Sequence, residues 1–377
     1  MIDNAALLEF VRRIVAMDSP TESKPLCDAV GDALEAQAIA FGMQAERDPQ
    51  RATGDHRILR LRGQGRRRIL LVGHFDTVHP QGSAARGVRI EGERAYGPGI
   101  LDMKGGLALG LFAIDAARRA AGGILPDDIT FLMNSDEEAG SASSLPLILR
   151  EAAAHDLALV LEPGRPGPAL TIGRKGVGIF RIAVTGIEAH AGAEPEKGAS
   201  AILAAARIAL QAAELVDPHQ GTSVNVGTLR GGTWPYVVAG AAELMLDVRV
   251  PSLAEQHRIE RALATLVAAP RLPGTSATLS GRFHRPPMEA TAASLAAAAA
   301  FQRAGDALGF PLGLAVSGGA SDGNNIAAAG IPTVDGLGPH GSRAHSDEEH
   351  VDLSSLFAKC AILARVLAEG ASPERGD

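Results

Sequence analysis

Four short stretches of this chain place acids and an imidazole among glycines and strand-like runs. Gly73-His74-Phe75-Asp76-Thr77-Val78 puts a carboxylate two residues after a histidine. In extended chain those two side chains point to the same side. Such an Asp can reach the second ring nitrogen of the His, or sit behind a metal, orienting the imidazole and raising its basicity. Gly97-Pro98-Gly99-Ile100-Leu101-Asp102-Met103-Lys104-Gly105-Gly106 holds an acid in a glycine-dense loop that opens a helix. Asn134-Ser135-Asp136-Glu137-Glu138-Ala139-Gly140 crowds three acids, which repel one another unless a cation sits among them. Leu161-Glu162-Pro163-Gly164 adds one more. Taken singly, each has a plainer reading. His-x-Asp is a common strand ending, Asp102 can be a helix N-cap, the acid run an exposed turn, and Glu162 a turn residue.

The elements around these stretches decide how they are read. Short apolar runs at Ile69–Val72, Ile129–Met133 and Leu157–Leu161 have the character of strands buried on both faces, and Ile58–Leu61 reads as a further strand. Helical patterns cover Asn4–Met17, where Asn4 can cap the start, and the stretch from Lys24 to a stop at Gly42. Others cover Lys104–Ala120 and Ser143–Ala153. The alternation predicts an α/β sheet covered by helices. His74, the Glu137/Glu138 pair and Glu162 then each lie just past the C-terminal end of a buried strand. Open α/β sheets bind ligands at those ends, and independent surface acids would not gather there.

Near residue 175 the pattern changes. Strand Val177–Val184, helix Ala199–Leu215, strands Ser223–Leu229 and Glu243–Val250, helix Leu253–Val267 and strand Ser276–Phe283 follow in the order β-α-β-β-α-β, the ferredoxin-like unit. Afterwards the α/β alternation resumes, with helices at Ala292–Leu308, Asp322–Ala329 and Leu353–Glu369 and strands at Leu312–Val316 and Thr333–Gly336. The expectation is a discontinuous α/β domain, 1–174 and 286–377, interrupted by an inserted α+β domain, 175–285.

Composition limits the function. With 2 Cys against 11 His and 43 acids, any metal site must use imidazole and carboxylate, which suits a catalytic zinc better than a structural one. A net charge of -7 and 3% aromatic residues argue against a nucleic-acid binder. The longest mostly apolar run, Ala290 to Phe301, is too short to span a bilayer, and the start of the chain lacks the basic residues of a secretory signal. The expectation is a cytoplasmic protein with no membrane partner.

The segment Gly338–Val351 supplies three further histidines, His340, His345 and His350. With it, the chain resembles the M20 family of zinc metallopeptidases. The likeness rests on Gly-His-Phe-Asp-Thr-Val, Tyr-Gly-Pro-Gly-x-x-Asp-Met-Lys-Gly-Gly, Asp-Glu-Glu-x-Gly-Ser, Leu-Glu-Pro and Ala-His-Ser-x-x-Glu, in that order along nearly the whole chain. The family includes glutamate carboxypeptidase, acetylornithine deacetylase, succinyl-diaminopimelate desuccinylase and aminoacylase. The resemblance implies a zinc-peptidase-like α/β/α catalytic domain, a lid and dimerisation domain, and two Zn2+ ions, for which Co2+ or Mn2+ can substitute. It makes Asp102 the bridge, with His74 and Glu162 on one ion and Glu138 and His345 on the other. Glu137 becomes the general base and Asp76 the partner of His74.

The same resemblance implies substrate contacts from His190, Arg249 and Arg285. The glycine-rich strand-to-helix turn at Gly318 and Gly319 reads either as an anion cradle of backbone amides and a helix N-terminus or as a plain tight turn. The chain looks most like the glutamate carboxypeptidase branch, and the implied partner is a small peptide or N-acyl amino acid. It departs from that branch where relatives carry an Asn, since Tyr236 stands here after Trp234-Pro235. The expected activity is hydrolysis of an amide or peptide bond beside a free carboxylate. N-acyl-amino-acid deacylation is the alternative within the family, and a non-catalytic metal-binding protein is the alternative outside enzymes. A homodimer through the inserted domain is also implied.

Overall fold

The computed structural model describes residues 2–164, 167–268 and 272–370. By internal contacts the chain divides into two compact units. One comprises Met1–Gly173, Ala290–Ser317 and Ser321–Asp377; the other comprises Arg174–Glu289 and Gly318–Ala320.

The first unit begins with helices α1 (Asn4–Val15) and α2 (Lys24–Ala40) and strands β1 (Gln44–Asp48), β2 (His56–Leu61) and β3 (Arg68–His74). The cap of α1 is Asp3, whose side chain accepts from the Ala6 amide, and not Asn4 as the sequence pattern predicts. An ionised carboxylate is the stronger acceptor for that orphan amide. Gly42, in the left-handed region at φ 82°, follows α2 as expected. A small strand pair, β4 (Arg89–Glu91) and β5 (Arg94–Tyr96), precedes a kinked segment at Ile100–Lys104, with non-helical dihedrals at Asp102 and Met103, and helix α3 (Gly105–Ala120). Strand β6 (Asp128–Asn134), helix α4 (Leu145–Ala153) and strands β7 (Leu157–Val160) and β8 (Ala169–Arg174) follow.

The chain then enters the second unit, with β9 (Gly176–Thr185), α5 (Ala201–Ala213), β10 (Ser223–Gly231), β11 (Ala241–Val250), α6 (Leu253–Ala268) and β12 (Ser276–Arg285). These four strands form an antiparallel sheet in the order β10-β11-β9-β12. Burial alternates along β11, so one face is apolar. Phe180, Ile182, Leu244, Leu246 and Val248 on that face pack with Ala204, Ile208, Ile259 and Leu263 of the two helices. The unit is the ferredoxin-like insert.

Returning to the first unit, the chain forms α7 (Ala292–Ala307), β13 (Gly313–Ser317), α8 (Asp322–Ala328), β14 (Thr333–Val334), β15 (Gly341–Ser342), β16 (His350–Asp352) and α9 (Leu353–Glu369). The main sheet runs β1-β2-β6-β3-β7-β14. Its half from β6 to β14 is parallel, and β1 and β2 add antiparallel strands at one edge. Strand β13 pairs with β8 instead of joining it.

Alternation sorts the side chains of β3 onto two covered faces. Ile69 and Leu71 join a core with Leu7, Leu107, Leu111 and Leu363 from α1, α3 and α9. Leu70 and Val72 join Leu147, Ile148 and Ile326 from α4 and α8. This is a three-layer α/β/α arrangement. Glycines let its layers approach closely. A Cβ on Gly106 would lie 2.2 Å from the Leu161 carbonyl oxygen, so only glycine lets the start of α3 lie against the end of β7. No helix among the described residues is long and apolar enough to cross a membrane.

Candidate metal centre

Three neighbouring parallel strands deliver the polar groups. His74 is the last residue of β3 and pairs in register with Asn134 at the end of β6. Glu137 and Glu138 lie in the turn that leaves β6, and Glu162 lies two residues beyond β7. Asp102 comes from the kinked, non-helical segment before α3, and its peptide bond to Met103 is cis. His345 comes from the loop between β15 and β16, with φ 65°.

These side chains meet in one arrangement. His74 Nε2 lies 3.4 Å from Asp102 Oδ1 and 3.5 Å from Glu162 Oε1. His345 Nε2 lies 3.3 Å from the other oxygen, Asp102 Oδ2, and 3.5 Å from Glu138 Oε1. Asp102 therefore turns one oxygen to each histidine, and each histidine has one further carboxylate of its own. Ligand atoms about a tetrahedral zinc with bonds of about 2.0–2.1 Å lie about 3.3–3.4 Å apart. The observed spacings match that edge. Glu138 Oε1 is buried and accepts no hydrogen bond, which is costly unless a cation meets it. The donor set of imidazole and carboxylate, with no sulfur, suits divalent zinc, cobalt or manganese.

The protonation states follow from the same crowding. Burial alone would lower the pKa of His74, but Asp102, Asp76 and Glu162 outweigh it and raise it well above the usual imidazole value. Asp102 and Glu138 raise His345 to about 10 against a smaller opposing effect of burial. Without a cation, protons on the two imidazoles offset part of that negative charge.

Residues 70–369 match the model of Peptidase family M20/M25/M40. The chain belongs to that family. It is a metallohydrolase. It is 29% identical to carboxypeptidase G2 from Pseudomonas sp. strain RS-16, over 97% of this chain and 90% of that protein. It is 28% identical to a succinyl-diaminopimelate desuccinylase from Nitrosococcus oceani, over 96% and 98% respectively. In fold it resembles the aminopeptidase PepT from Bacillus cereus, with a TM-score of 0.80 at 23% identity, covering 98% of this chain and 99% of that one.

Beneath this cluster lies a layer of acids held by hydrogen bonds. Asp76 is fully buried. Its backbone oxygen lies 3.0 Å from His74 Nδ1, and its Oδ1 lies 3.4 Å from that nitrogen. The carboxylate accepts from the Glu137 amide at 3.2 Å, the Glu138 amide at 3.1 Å and Thr21 Oγ1 at 2.7 Å. Asp76 thus aims the acid turn as well as backing His74. Asp322, the first residue of α8, accepts from Asn134 and from Ser141, at the two ends of the same turn. Asp136 accepts from the Ser143 amide and hydroxyl, both at 2.7 Å. Sequence reasoning assigned no role to Thr21, Asn134, Ser141 or Asp322. Ser141 closes the Asp-Glu-Glu-x-Gly-Ser motif, and Asp322 closes the glycine-rich turn read as an anion cradle. Each was in view, but its partner is distant in sequence.

His340 and His350 stay outside the cluster. His340 Nε2 faces Asp352 at 3.4 Å, and His350 donates from Nδ1 to the Glu348 carbonyl while its ring lies against Tyr96.

The expected substrate-binding residues His190, Arg249, Arg285, Gly318 and Gly319 all belong to the second unit. His190 is exposed, and its Nδ1 accepts from the amides of Gly192 and Ala193, each at 3.1 Å. The ring is thereby set as the tautomer that carries its proton on Nε2. Arg249 forms a two-pronged pair with Asp247, at 2.9 and 3.0 Å. Arg285 is buried. The Gly319 carbonyl accepts from Arg174 at 3.2 Å.

Metal ligation needs neutral imidazoles. Both histidines have raised pKa values, so both carry protons near pH 7 in the metal-free protein and must lose them on loading. Adding zinc to metal-free protein in weak buffer near pH 7 should release close to two protons, read with a pH indicator, and affinity should rise with pH. Zinc uptake without proton release would contradict this electrostatic picture.

Proposed function

We propose that this M20 chain is a di-zinc hydrolase that cleaves an amide or peptide bond beside a free carboxylate. The observation that carries the reading is the division of Asp102 between two histidines, each with its own second carboxylate. His74, Asp102 and Glu162 would hold one ion, and His345, Asp102 and Glu138 the other. When bound, such a pair supplies Lewis acidity toward a water and the scissile carbonyl. Glu137 takes a proton from the attacking water and delivers it to the departing nitrogen. Asp76 keeps Glu137 in place through its amide and keeps the His74 ring oriented. His190, with its proton on Nε2, presents a hydrogen-bond donor of the kind that stabilises a carbonyl oxygen as charge develops on it. Arg249 and Arg285 offer the planar guanidinium that pairs with carboxylates, though Arg249 must exchange Asp247 for the substrate.

The names of the relatives support this chemistry, since carboxypeptidase G2 and the desuccinylase are named for cleavage of a terminal residue or acyl group. A deacylase reading has one observation of its own. Trp234 and Tyr236 are exposed, with parallel rings whose centroids are 5.9 Å apart. Their loop is joined to the His190 segment by hydrogen bonds from Ala191 to Tyr236 and from Val238 to Ala189. An apolar or aromatic acyl group would find a surface there.

The proposed homodimer is supported by the second unit. Leu203 and Leu210 on α5 are 60% and 70% exposed, and β10 lies at the edge of its sheet. Two exposed leucines flanking exposed Arg207 on one helix face, beside an open strand edge, are suited to a two-fold contact with a second copy.

Exchange of Glu137 for Gln should leave two zinc ions bound and lower kcat by about a hundredfold or more. Full turnover by Glu137→Gln would sink the mechanism. Trp234→Ala should raise KM for aromatic N-acyl amino acids about 3- to 10-fold and leave simple dipeptides unchanged. Equal effects on both substrate types would remove the acyl-surface reading. In sedimentation the wild type should run as a dimer and a Leu203→Asp, Leu210→Asp double variant as a monomer. A wild type that is monomeric and fully active would refute the dimer.

A further inference from the structure

We infer that Glu349 is a positioning residue, clamping the Asp102 loop to the His345 segment and so setting two ligands of one ion together. The inference rests on the two-ion reading above. Glu349 is the last residue of the Ala-His-Ser-x-x-Glu motif and is 1% exposed. A buried carboxylate is stable only when its oxygens are fully met. Here Oε1 accepts from the amides of Leu101 at 2.8 Å and Asp102 at 3.0 Å. Oε2 accepts from the Gly99 amide at 3.2 Å and from His79 Nε2 at 2.7 Å. The Glu349 carbonyl accepts from the Gly97 amide at 3.1 Å.

The loop that carries Asp102 is therefore an anion nest of converging amides, filled by an internal side chain. Gly99 makes the nest possible, because its φ of 68° is one that glycine adopts without strain. A Cβ there would also lie 2.5 Å from Thr77 Cγ2. One of the amides in the nest is that of Asp102 itself, so the clamp acts on the bridging ligand at its own backbone.

The other end of the clamp reaches His345. The Glu349 amide donates to Ser346 O at 3.1 Å, and Ser346 donates to Arg343 O at 3.2 Å, which ties the histidine's turn to Glu349. The intervening acids Asp347 and Glu348 pair with Arg86 and Arg89 at the surface, where such pairs contribute little. The buried anchor is Glu349.

This makes the two ion positions unequal in their dependence on it. The position between His345, Asp102 and Glu138 takes two of its three ligands from the clamped segments. The position between His74, Asp102 and Glu162 takes only one, and its other two stand at strand ends. Loss of Glu349 should weaken the first position more than the second.

The test is titration of the metal-free full chain with Co2+, followed by calorimetry and by the visible spectrum of the bound ion. Wild type, Glu349→Ala and Glu349→Gln are compared. Wild type should take two equivalents. Glu349→Ala should keep one tight equivalent and bind the second about 10- to 100-fold more weakly, as loss of a ligand-orienting group does. Glu349→Gln keeps one acceptor oxygen for Leu101 and Asp102 and should fall between the two. It also serves as the test if the alanine variant does not fold. A folded variant series that binds both equivalents like wild type, or loses both equally, would overturn the positioning role. A wild type that takes fewer than two equivalents would instead overturn the two-ion reading and, with it, this inference.

Discussion

The constraint on which this site depends is the mutual repulsion of carboxylates gathered in a largely buried place. Asp102, Glu138 and Glu162 converge on buried His74 and half-exposed His345, and the three carboxylates are themselves largely withdrawn from solvent. Such a cluster persists only if positive charge enters it, as protons on the imidazoles or as cations between the ligands. The raised pKa values of both histidines express the first solution. The spacings, close to a tetrahedral edge, suit the second.

A second set of acids lies behind the first and obeys a different rule. Asp76, Asp322 and Glu349 are buried, and their partners include backbone amides, hydroxyls, a side-chain amide and an imidazole. Each turns its charge into position. Asp76 and Asp322 hold the turn of Glu137 and Glu138, and Glu349 holds the loop of Asp102. Acids whose lone pairs are filled by hydrogen bonds stay fixed, while acids such as Glu138 are left to meet a cation.

The sheet supplies the rigid frame for both sets. Three parallel strands end side by side and bring residues distant in sequence to one edge. The end of β7 is further pinned, because the Gly338 amide donates to Glu162 O and the Gly338 carbonyl accepts from buried Lys359. Burial lowers that lysine to about 7, against the opposing pull of Asp335. Sites built on strand ends and buried anchors hold geometry more tightly than sites on free loops.

Local pattern determined much of this protein. Periodicity marked the long helices and the buried strands, because each must present an apolar face at its own repeat. Motif order marked His74, Asp102, Glu137, Glu138, Glu162 and His345 as a set, and the absence of useful cysteine narrowed the chemistry to nitrogen and oxygen ligands. Short polar strands such as β4, β5, β15 and β16 left no such signal, and β13 reads as a strand of the α/β alternation but pairs with β8 outside the main sheet. The cap of α1 moved by one residue because two adjacent side chains, Asp3 and Asn4, are both capable acceptors. What only the tertiary structure decided is which oxygen of Asp102 faces which histidine, and which buried acids hold the ligands in place. Glu349 meets Asp102 across 247 residues, and Asp322 meets Asn134 across 188. No local repeat encodes a contact at that separation, since it exists only once the layers of the fold have packed.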